Sequence, residues 1–163
     1  MRDHGFVEEN EGARQELREV IARLDERSFK CVVGSGWTVS TLLCHLAFWD
    51  QRVLFLLRKW QSGPFETSQL SSQSVDSINE AVKAISQAVP GPAAAKLALD
   101  SAAAVDSLLT GISDELAGQI VSSGFERFLR RALHRREHLQ KIKEALDRQR
   151  GEAARASSPH IST

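Results

Sequence analysis

The chain contains little of what marks disulfide-rich, membrane-spanning or nucleic-acid-binding proteins. It has only two cysteines, Cys31 and Cys44, in 163 residues, which is too few for a disulfide framework. Basic and acidic side chains number 21 each, so the formal net charge is zero and the basic surplus of a typical nucleic-acid-binding domain is missing. The most apolar stretch, residues 42–60, is interrupted by several charged side chains and therefore does not predict a membrane span.

These absences also bear on where the protein works. The N-terminus shows no secretory signal pattern, and so few cysteines are typical of a reducing compartment. We therefore expect a cytoplasmic protein whose partner is a small molecule rather than a membrane or a nucleic acid. A homodimer is left open.

Apolar residues recur at helical spacing through most of the chain, with no internal repeat and no convincing strand pattern. Thr38 is placed to cap the second helix, which Gly63-Pro64 ends, and Pro90-Gly91-Pro92 separates two later helices. The predicted helical segments are four long ones, residues 11–26, 38–62, 93–110 and 126–148, and a shorter one, residues 76–89.

Amphipathic helices of this length bury their apolar faces best against one another. The sequence therefore predicts an all-α fold, a four-helix bundle over residues 11–148 with an extra short helix before helix three. Residues 28–36 and 112–124 are predicted as connections. Residues 1–10 are predicted as a flexible N-terminus and residues 149–163 as a disordered tail.

Three of the five histidines fall inside predicted helices. His134 and His138 lie four residues apart, so their imidazoles project from one helix face, one turn apart, and can share an ion. His45 lies on an apolar flank of helix two, where an unpaired imidazole costs about 1–3 kcal/mol. A divalent metal ion would satisfy these side chains and link the two helices, and imidazole ligands suit zinc or nickel. The other two histidines, His4 and His160, fall in the predicted tails and receive no role.

The same residues admit plainer interpretations. A histidine on an apolar face is often hydrogen-bonded to a neighbour in the core, and a pair on an arginine-rich helix can be a solvated edge. Cys44 is interpreted as an ordinary thiol, because adjacent helical residues point about 100° apart and cannot easily face one ion. The arginines of the last helix predict either an ion-paired surface or a site for an anionic cofactor, with Arg131 and Arg135 nearest the histidine pair. Asn79 is predicted at the mouth of that site.

Three runs of residues together resemble the DinB/YfiT-like superfamily, on the branch of the mycothiol-dependent maleylpyruvate isomerase. Residues 36–50 resemble its helix-two signature, Trp-Ser/Thr-Val followed by Leu-x-His-Leu and an aromatic residue. Residues 75–80 are similar to its Asp-x-x-Asn stretch. Residues 134–142 resemble its final helix, where His or Glu precedes a second His by four residues and Leu-x-x-Ile follows. The resemblance spans residues 11–146.

The resemblance implies one divalent ion held by His45, His134 and His138, and chemistry at that ion with a low-molecular-weight thiol such as mycothiol, bacillithiol or glutathione. The expected function is a thiol-dependent transferase or isomerase whose substrate the sequence does not identify. Because little sequence follows the last helix, we do not expect the extra domain that often accompanies the isomerase branch. A metal-dependent hydrolase and a non-enzymatic, metal-stabilised stress-response or binding bundle are the alternatives, since a fold does not determine a reaction.

Overall fold

The computed structural model describes residues 5–67 and 69–157, and helices account for most of them. In chain order the elements are α1 (Gly5–Ile21), α2 (Glu26–Phe29), β1 (Val32–Gly34), β2 (Trp37–Thr38), α3 (Val39–Ser62), α4 (Ser72–Ser86), α5 (Gly91–Thr110), α6 (Asp114–Ser122), a 3-10 helix (Glu126–Phe128) and α7 (Arg131–Ala156). The predicted all-α fold is confirmed. His4 and His160 lie outside the described residues. Within the described ranges, no helix is both long and apolar enough to cross a membrane.

The four long helices pack side by side. α3 contacts α5, α5 contacts α1, α1 contacts α7, and α7 contacts α3. The predicted extra helix before the third long helix is α4, which lies on α3. One apolar core, which includes Leu42, Leu46 and Ile142, lies near the sheet, and a second core includes Val53 and Ile120. The contact between α3 and α7 is the one that matters for the site.

α3 begins where the sequence predicts. Thr38 is its N-cap: the Thr38 hydroxyl accepts a hydrogen bond from the backbone nitrogen of Thr41 at 3.2 Å, and Oγ1 of Thr41 accepts one from the backbone nitrogen of Thr38 at 2.9 Å. This reciprocal pair is a capping box, which satisfies backbone donors that the first turn leaves unpaired. His45 lies two turns further along, so this cap helps to set the direction in which His45 projects.

A β-hairpin occupies part of the segment that was predicted as a plain connection. β1 and β2 pair antiparallel, and the turn between them places Ser35 and Gly36 at φ angles of 50° and 77°. Glycine adopts this left-handed region without steric cost. Strands of three and two residues are too short to show an alternating pattern in the sequence, so the prediction missed them.

α1 begins at Gly5, inside the segment that was predicted to be flexible. The buried side chain of Asn10 explains the difference. Its Nδ2 donates to the carbonyl of Leu129 at 2.7 Å, and its Oδ1 accepts from the backbone nitrogen of Ala132 at 2.8 Å. The N-cap position of α7, Arg130, makes no side-chain capping bond. Asn10 therefore caps α7 from another helix, which fixes this end of α1.

The last helix also differs from its prediction. α7 starts at Arg131, after the 3-10 helix, rather than at residue 126. It then continues through residues 149–156, which were predicted to belong to a disordered tail. This extension contains three alanines, which favour helix, and Arg150 pairs with Asp147 one turn back at 3.6 Å. Helix propensity without apolar periodicity therefore explains the longer helix.

α6 replaces most of the loop that was predicted over residues 112–124. Ser113 caps it by accepting a hydrogen bond from the backbone nitrogen of Leu116. Leu116 and Ile120, four residues apart, pack into the second core. The helix has only nine residues, so its apolar pattern was too brief to stand out from the glycines around it.

Candidate metal centre

The three helical histidines meet between α3 and α7. His45 projects from α3, and His134 and His138 project from one face of α7. The three Nε2 atoms form a triangle in which each pair is separated by 3.2 Å. The convergence that the spacing predicted is therefore present, and the three nitrogens form a group that could hold a metal ion.

The donor set fits a small divalent cation. Metal–imidazole bonds of about 2.0–2.1 Å in a tetrahedral arrangement place two nitrogens about 3.3–3.4 Å apart. The observed separations of 3.2 Å agree with this value. The Nδ1 atoms of His45 and His138 are buried and have no hydrogen-bond partner among the described residues. Hydrogen bonding within the protein therefore does not account for this cluster.

The imidazoles are held in the neutral form that metal binding requires. Burial, followed by the charges of His138 and Lys141, lowers the pKa of His45 from 6.5 to about 3. Burial, followed by the charge of Lys141, lowers the pKa of His138 to about 4. Burial and then the charge of Arg131 lower the pKa of His134 well below its ordinary value. All three rings are therefore neutral at neutral pH, and each keeps one unprotonated ring nitrogen.

His134 has a partner that is unusual for a metal ligand. Its Nδ1 lies 3.2 Å from Nη2 of Arg131. A guanidinium only donates hydrogen bonds, so Nδ1 of His134 is the acceptor and Nε2 carries the ring proton in the metal-free protein. Metal-binding histidines usually donate a hydrogen bond from this second nitrogen to a carboxylate or carbonyl instead. Binding of a metal at Nε2 of His134 would therefore require the proton to leave Nε2 and the contact with Arg131 to change.

A buried ion cluster lies directly behind the histidines. Arg135 is fully buried and donates to Oδ2 of Asp50 at 3.1 Å and to both oxygens of Asp106 at 2.8 and 2.9 Å. Arg131, 5% exposed, donates from Nε to Oδ1 of Asp50 at 2.8 Å. The sequence prediction missed Asp50 and Asp106. Asp50 was considered only as an interruption of an apolar stretch, although a carboxylate in such a stretch is itself a signal of a buried partner.

The predicted cofactor-binding residues lie in different surroundings. The guanidiniums of Arg131 and Arg135 are enclosed by protein groups, whereas Asn79 lines a cavity beside the histidines. Oδ1 of Asn79 accepts a hydrogen bond from Nε1 of Trp49 at 3.0 Å. Contact of these three residues with a cofactor stays a prediction. Cys44 is buried and does not belong to the histidine cluster.

The rest of the arginine-rich strip pairs with carboxylates at the surface. Arg130 pairs with Glu9 at 2.7 Å and Arg136 pairs with Glu16 at 2.9 Å. Arg127 lies 3.5 Å from Glu137. For these three arginines, the plainer of the two sequence interpretations, an ion-paired face, is confirmed.

A cavity of about 500 Å³ opens beside two of the histidines. Its floor includes His45 and His138, and Trp37 and Leu42 supply apolar surface. The hairpin forms one wall, and α4 forms another with Asp76, Asn79 and Glu80, while Lys141 extends the α7 side. A small molecule in this cavity would therefore meet the histidine nitrogens at one end and charged side chains at the mouth.

Comparison with known proteins agrees with this architecture. The family model for the mycothiol maleylpyruvate isomerase N-terminal domain matches residues 10–119, about two thirds of the chain. The chain belongs to this family. The DinB/YfiT-like resemblance drawn from the sequence is thereby confirmed. The match includes His45 but ends before α7. That His134 and His138 lie beside His45 is therefore known from the structure and not from the family match. No curated protein and no solved structure matched the chain.

Proposed function

We propose that this protein binds one divalent metal ion, zinc or nickel, through His45, His134 and His138, and uses it to activate a low-molecular-weight thiol. The reaction would be a thiol-dependent transfer or isomerisation. The observation that carries the proposal is the triangle of Nε2 atoms from three neutral imidazoles, two of which line a solvent-connected cavity. Three protein ligands with an open position are typical of catalytic rather than structural metal sites.

The chemistry that the ion would supply is stabilisation of a thiolate at neutral pH, because a cation lowers the pKa of a coordinated thiol. The protein's own groups would do the rest. His45 and His138 line the cavity. Trp37, whose ring lies 5.3 Å from that of His45, supplies apolar surface beside it. Trp49 holds Oδ1 of Asn79, which leaves the Asn79 Nδ2 group to donate to a bound molecule.

The thiol is favoured by the family, whose name refers to mycothiol. Bacillithiol and glutathione are the other low-molecular-weight thiols to be considered. The cavity is large enough for a molecule of that class, since small-molecule sites are typically about 300–1,000 Å³. Its charged mouth suits a polar thiol better than an apolar one.

A metal-dependent hydrolase is the second candidate. One observation favours it: the carboxylates of Asp76 and Glu80 line the cavity and could act as a general base towards a metal-bound water. Both residues are exposed, however, and neither belongs to the histidine group, whereas a general base must lie within hydrogen-bond reach of the proton that it removes. We therefore rank hydrolysis below thiol chemistry.

Elemental analysis and a thiol titration test the proposal. The purified protein should contain or bind about one divalent ion per chain, and the His45→Ala/His138→Ala variant should bind none tightly. Cys44→Ala is the matched control, because it removes a buried neighbouring donor outside the cluster and should leave the stoichiometry unchanged. Stoichiometric binding that survives the double histidine substitution would overturn the site.

A second experiment tests whether a thiol binds to the metal. The cobalt-loaded protein should develop a thiolate-to-cobalt charge-transfer absorption when mycothiol, bacillithiol or glutathione is added, and the strongest response identifies the thiol class. Metal binding without such an absorption for any of the three thiols would remove the support for thiol chemistry and leave hydrolysis or a non-enzymatic role.

A further inference from the structure

Two lysines lie beside the cavity, and they differ in how firmly the protein holds them. Lys83, on α4, has a side chain that is 17% exposed, and it donates to the carbonyl of Ser35 at 3.2 Å and to Oε1 of Glu80 at 2.9 Å. Its ammonium also lies 5.5 Å from the centre of the Trp37 ring. These three contacts commit the ammonium of Lys83 to holding the hairpin against α4.

Lys141, on α7, pairs with a carboxylate that has a second cationic partner. Its side chain is 48% exposed and lines the cavity. Nζ of Lys141 donates to Oε1 of Glu137 at 3.0 Å, whereas Oε2 of Glu137 lies 3.5 Å from Nη2 of Arg127. This group of three side chains carries two positive charges and one negative charge. Glu137 would keep Arg127 as a partner if Lys141 turned towards a bound molecule, so Lys141 is the lysine that is free to do so.

Lys141 also lies close to the proposed metal ligands. It follows His138 by three residues, and side chains at this spacing are neighbours on one helix face, with about 5–6 Å between their Cβ atoms. Burial and then the charge of Lys141 lower the pKa of His138, and the same charge lowers the pKa of His45 after burial and the charge of His138. The ammonium of Lys141 is therefore near both histidines that line the cavity.

The opposite wall of the cavity has the opposite charge. α4 contributes the carboxylates of Asp76 and Glu80, and Glu80 is paired with Lys83 at 2.9 Å. A carboxylate on a bound molecule would be repelled by Asp76 and attracted by Lys141. Complementary charges of this kind fix the orientation of a ligand more than they tighten its binding. A bound carboxylate should therefore lie along α7 and not along α4.

We propose that Lys141 is a specificity-determining residue that binds a carboxylate of the thiol, so that the cavity takes a thiol with a carboxylate in preference to an uncharged one. This inference rests on the proposed function and deepens it, because it names the charged group by which the ligand is selected. Glutathione and bacillithiol carry carboxylates and mycothiol carries none, so the first two match Lys141 better. A Lys141 that only paired with Glu137 at the surface would not change which thiol binds.

Two small thiols that differ in one group test this inference. 3-Mercaptopropionate and its amide, 3-mercaptopropionamide, are titrated separately into the cobalt-loaded protein, and the thiolate-to-cobalt absorption gives both dissociation constants. The charge of Lys141 acts on any metal-bound thiolate, but this effect is common to both probes and cancels in the ratio of the two constants. In Lys141→Gln we expect the preference for the carboxylate over the amide to fall about two- to fivefold, which is the size typical of a solvent-exposed charge pair.

Three further variants complete the series. Lys141→Arg should keep most of the preference, because it keeps the positive charge, and Lys141→Glu should lower the preference further than Lys141→Gln does. Lys143→Gln is the matched control: it changes an exposed lysine of the same helix that does not line the cavity, and its ratio should equal that of the unmodified protein.

The outcomes separate this inference from the proposed function. An unchanged ratio in Lys141→Gln and Lys141→Glu, with both thiols still bound to cobalt, overturns the inference and leaves the metal site intact. An equal fall in Lys143→Gln would show a general effect of charge and would also overturn it. If the unmodified protein gives no thiolate-to-cobalt absorption with either probe, thiol activation and this inference are overturned together.

Discussion

Two polar clusters lie side by side between α3 and α7, and they differ in how completely their hydrogen bonds are satisfied. In the ion cluster, every guanidinium nitrogen of Arg131 and Arg135 has a hydrogen-bond partner, and Nε of Arg14 at its edge has only an ion-pair contact with Asp106 at 3.1 Å. In the histidine triangle, two buried Nδ1 atoms have none among the described residues, and three Nε2 atoms face one another. Buried polar groups are normally paired. The comparison indicates that the first cluster stabilises the fold and that the second is arranged for an external partner.

The largest effect on stability should come from the satisfied cluster. Arg135→Ala leaves Asp50 and Asp106 buried without their main partner, and breaking such a buried pair costs about 3–5 kcal/mol. Urea unfolding of the metal-free protein should show this loss. Arg136→Ala is the control: it removes the next residue, whose exposed pair with Glu16 should be worth about 0–1 kcal/mol. Equal losses in the two variants would contradict the structural role assigned to the ion cluster.

Acid should have the next largest effect, and it should act through the histidine triangle. In the folded, metal-free protein the pKa of His45 is about 3 and that of His138 is about 4, below the 6.5 of an unfolded chain. Between these pKa values the unfolded state binds more protons than the folded state. The two histidines therefore make their full contribution to the free energy of unfolding above pH 6.5, and this contribution is lost as the pH drops towards 3. The urea midpoint should decline through this range.

The contribution of the histidines can be separated from that of the carboxylates. The His45→Ala/His138→Ala variant should show a shallower decline in urea midpoint between about pH 6.5 and 5, where carboxylates of ordinary pKa, about 4, remain ionised. Asp106, whose pKa is raised by burial, is present in both proteins and therefore does not produce a difference between them. An identical pH profile for the variant and the unmodified protein would mean that the triangle does not titrate as its burial requires.

Removal of a metal ligand should change stability less than either of these. The two apolar cores and the ion cluster hold the helices without any ion, so His134→Ala should remain helical and cooperatively folded. Its metal affinity should drop by more than about a hundredfold, since even outer partners of ligands contribute 10- to 100-fold. Circular dichroism and a metal titration measure the two quantities. Unfolding of the unmodified protein by a chelator at room temperature would instead make the ion structural.

The smallest expected change is in the pH dependence of metal affinity. For unperturbed histidines, affinity falls as the pH drops through about 6.5. The pKa values of His45 and His138, about 3 and 4, move this transition down, so affinity should change less than about twofold between pH 7 and pH 5. Competition with a chelating dye at each pH measures it. A steep loss below pH 6.5 would show that the triangle is more hydrated than its burial indicates.

The local sequence pattern predicted the histidine triangle better than it predicted the buried ion cluster behind it. The helical period places His134 and His138 on one face, and the helical wheel of helix two places His45 on a buried flank, so the three candidate ligands could be chosen from the sequence. The ion cluster could not, because Asp50 and Asp106 lie 56 residues apart on α3 and α5 and meet only through packing. The helical period places Arg135 on the buried face with Leu139 and Ile142, but nothing local identifies the carboxylates that it meets there.

The same limit explains the errors in the fold. Thr38 and Gly63 mark the ends of α3 because capping depends on neighbouring residues. The start of α1 and the start of α7 depend on each other through Asn10, 119 residues from Leu129. The short hairpin and the nine-residue α6 carry too few residues for a period to be detected. Prediction therefore failed where an element is defined by a distant contact or is short.

The capping of α7 by Asn10 has a consequence for the order in which the protein assembles. Contacts between residues far apart in the chain close large loops and form slowly. During synthesis, α1, α3 and α5 emerge before α7, so His45 and Asp50 are made before the α7 side chains that contact them. The histidine triangle is complete only after the last described helix has folded back onto the first. Metal binding at the proposed site would therefore report completed folding, and time-resolved cobalt absorption during refolding would follow the docking of α7.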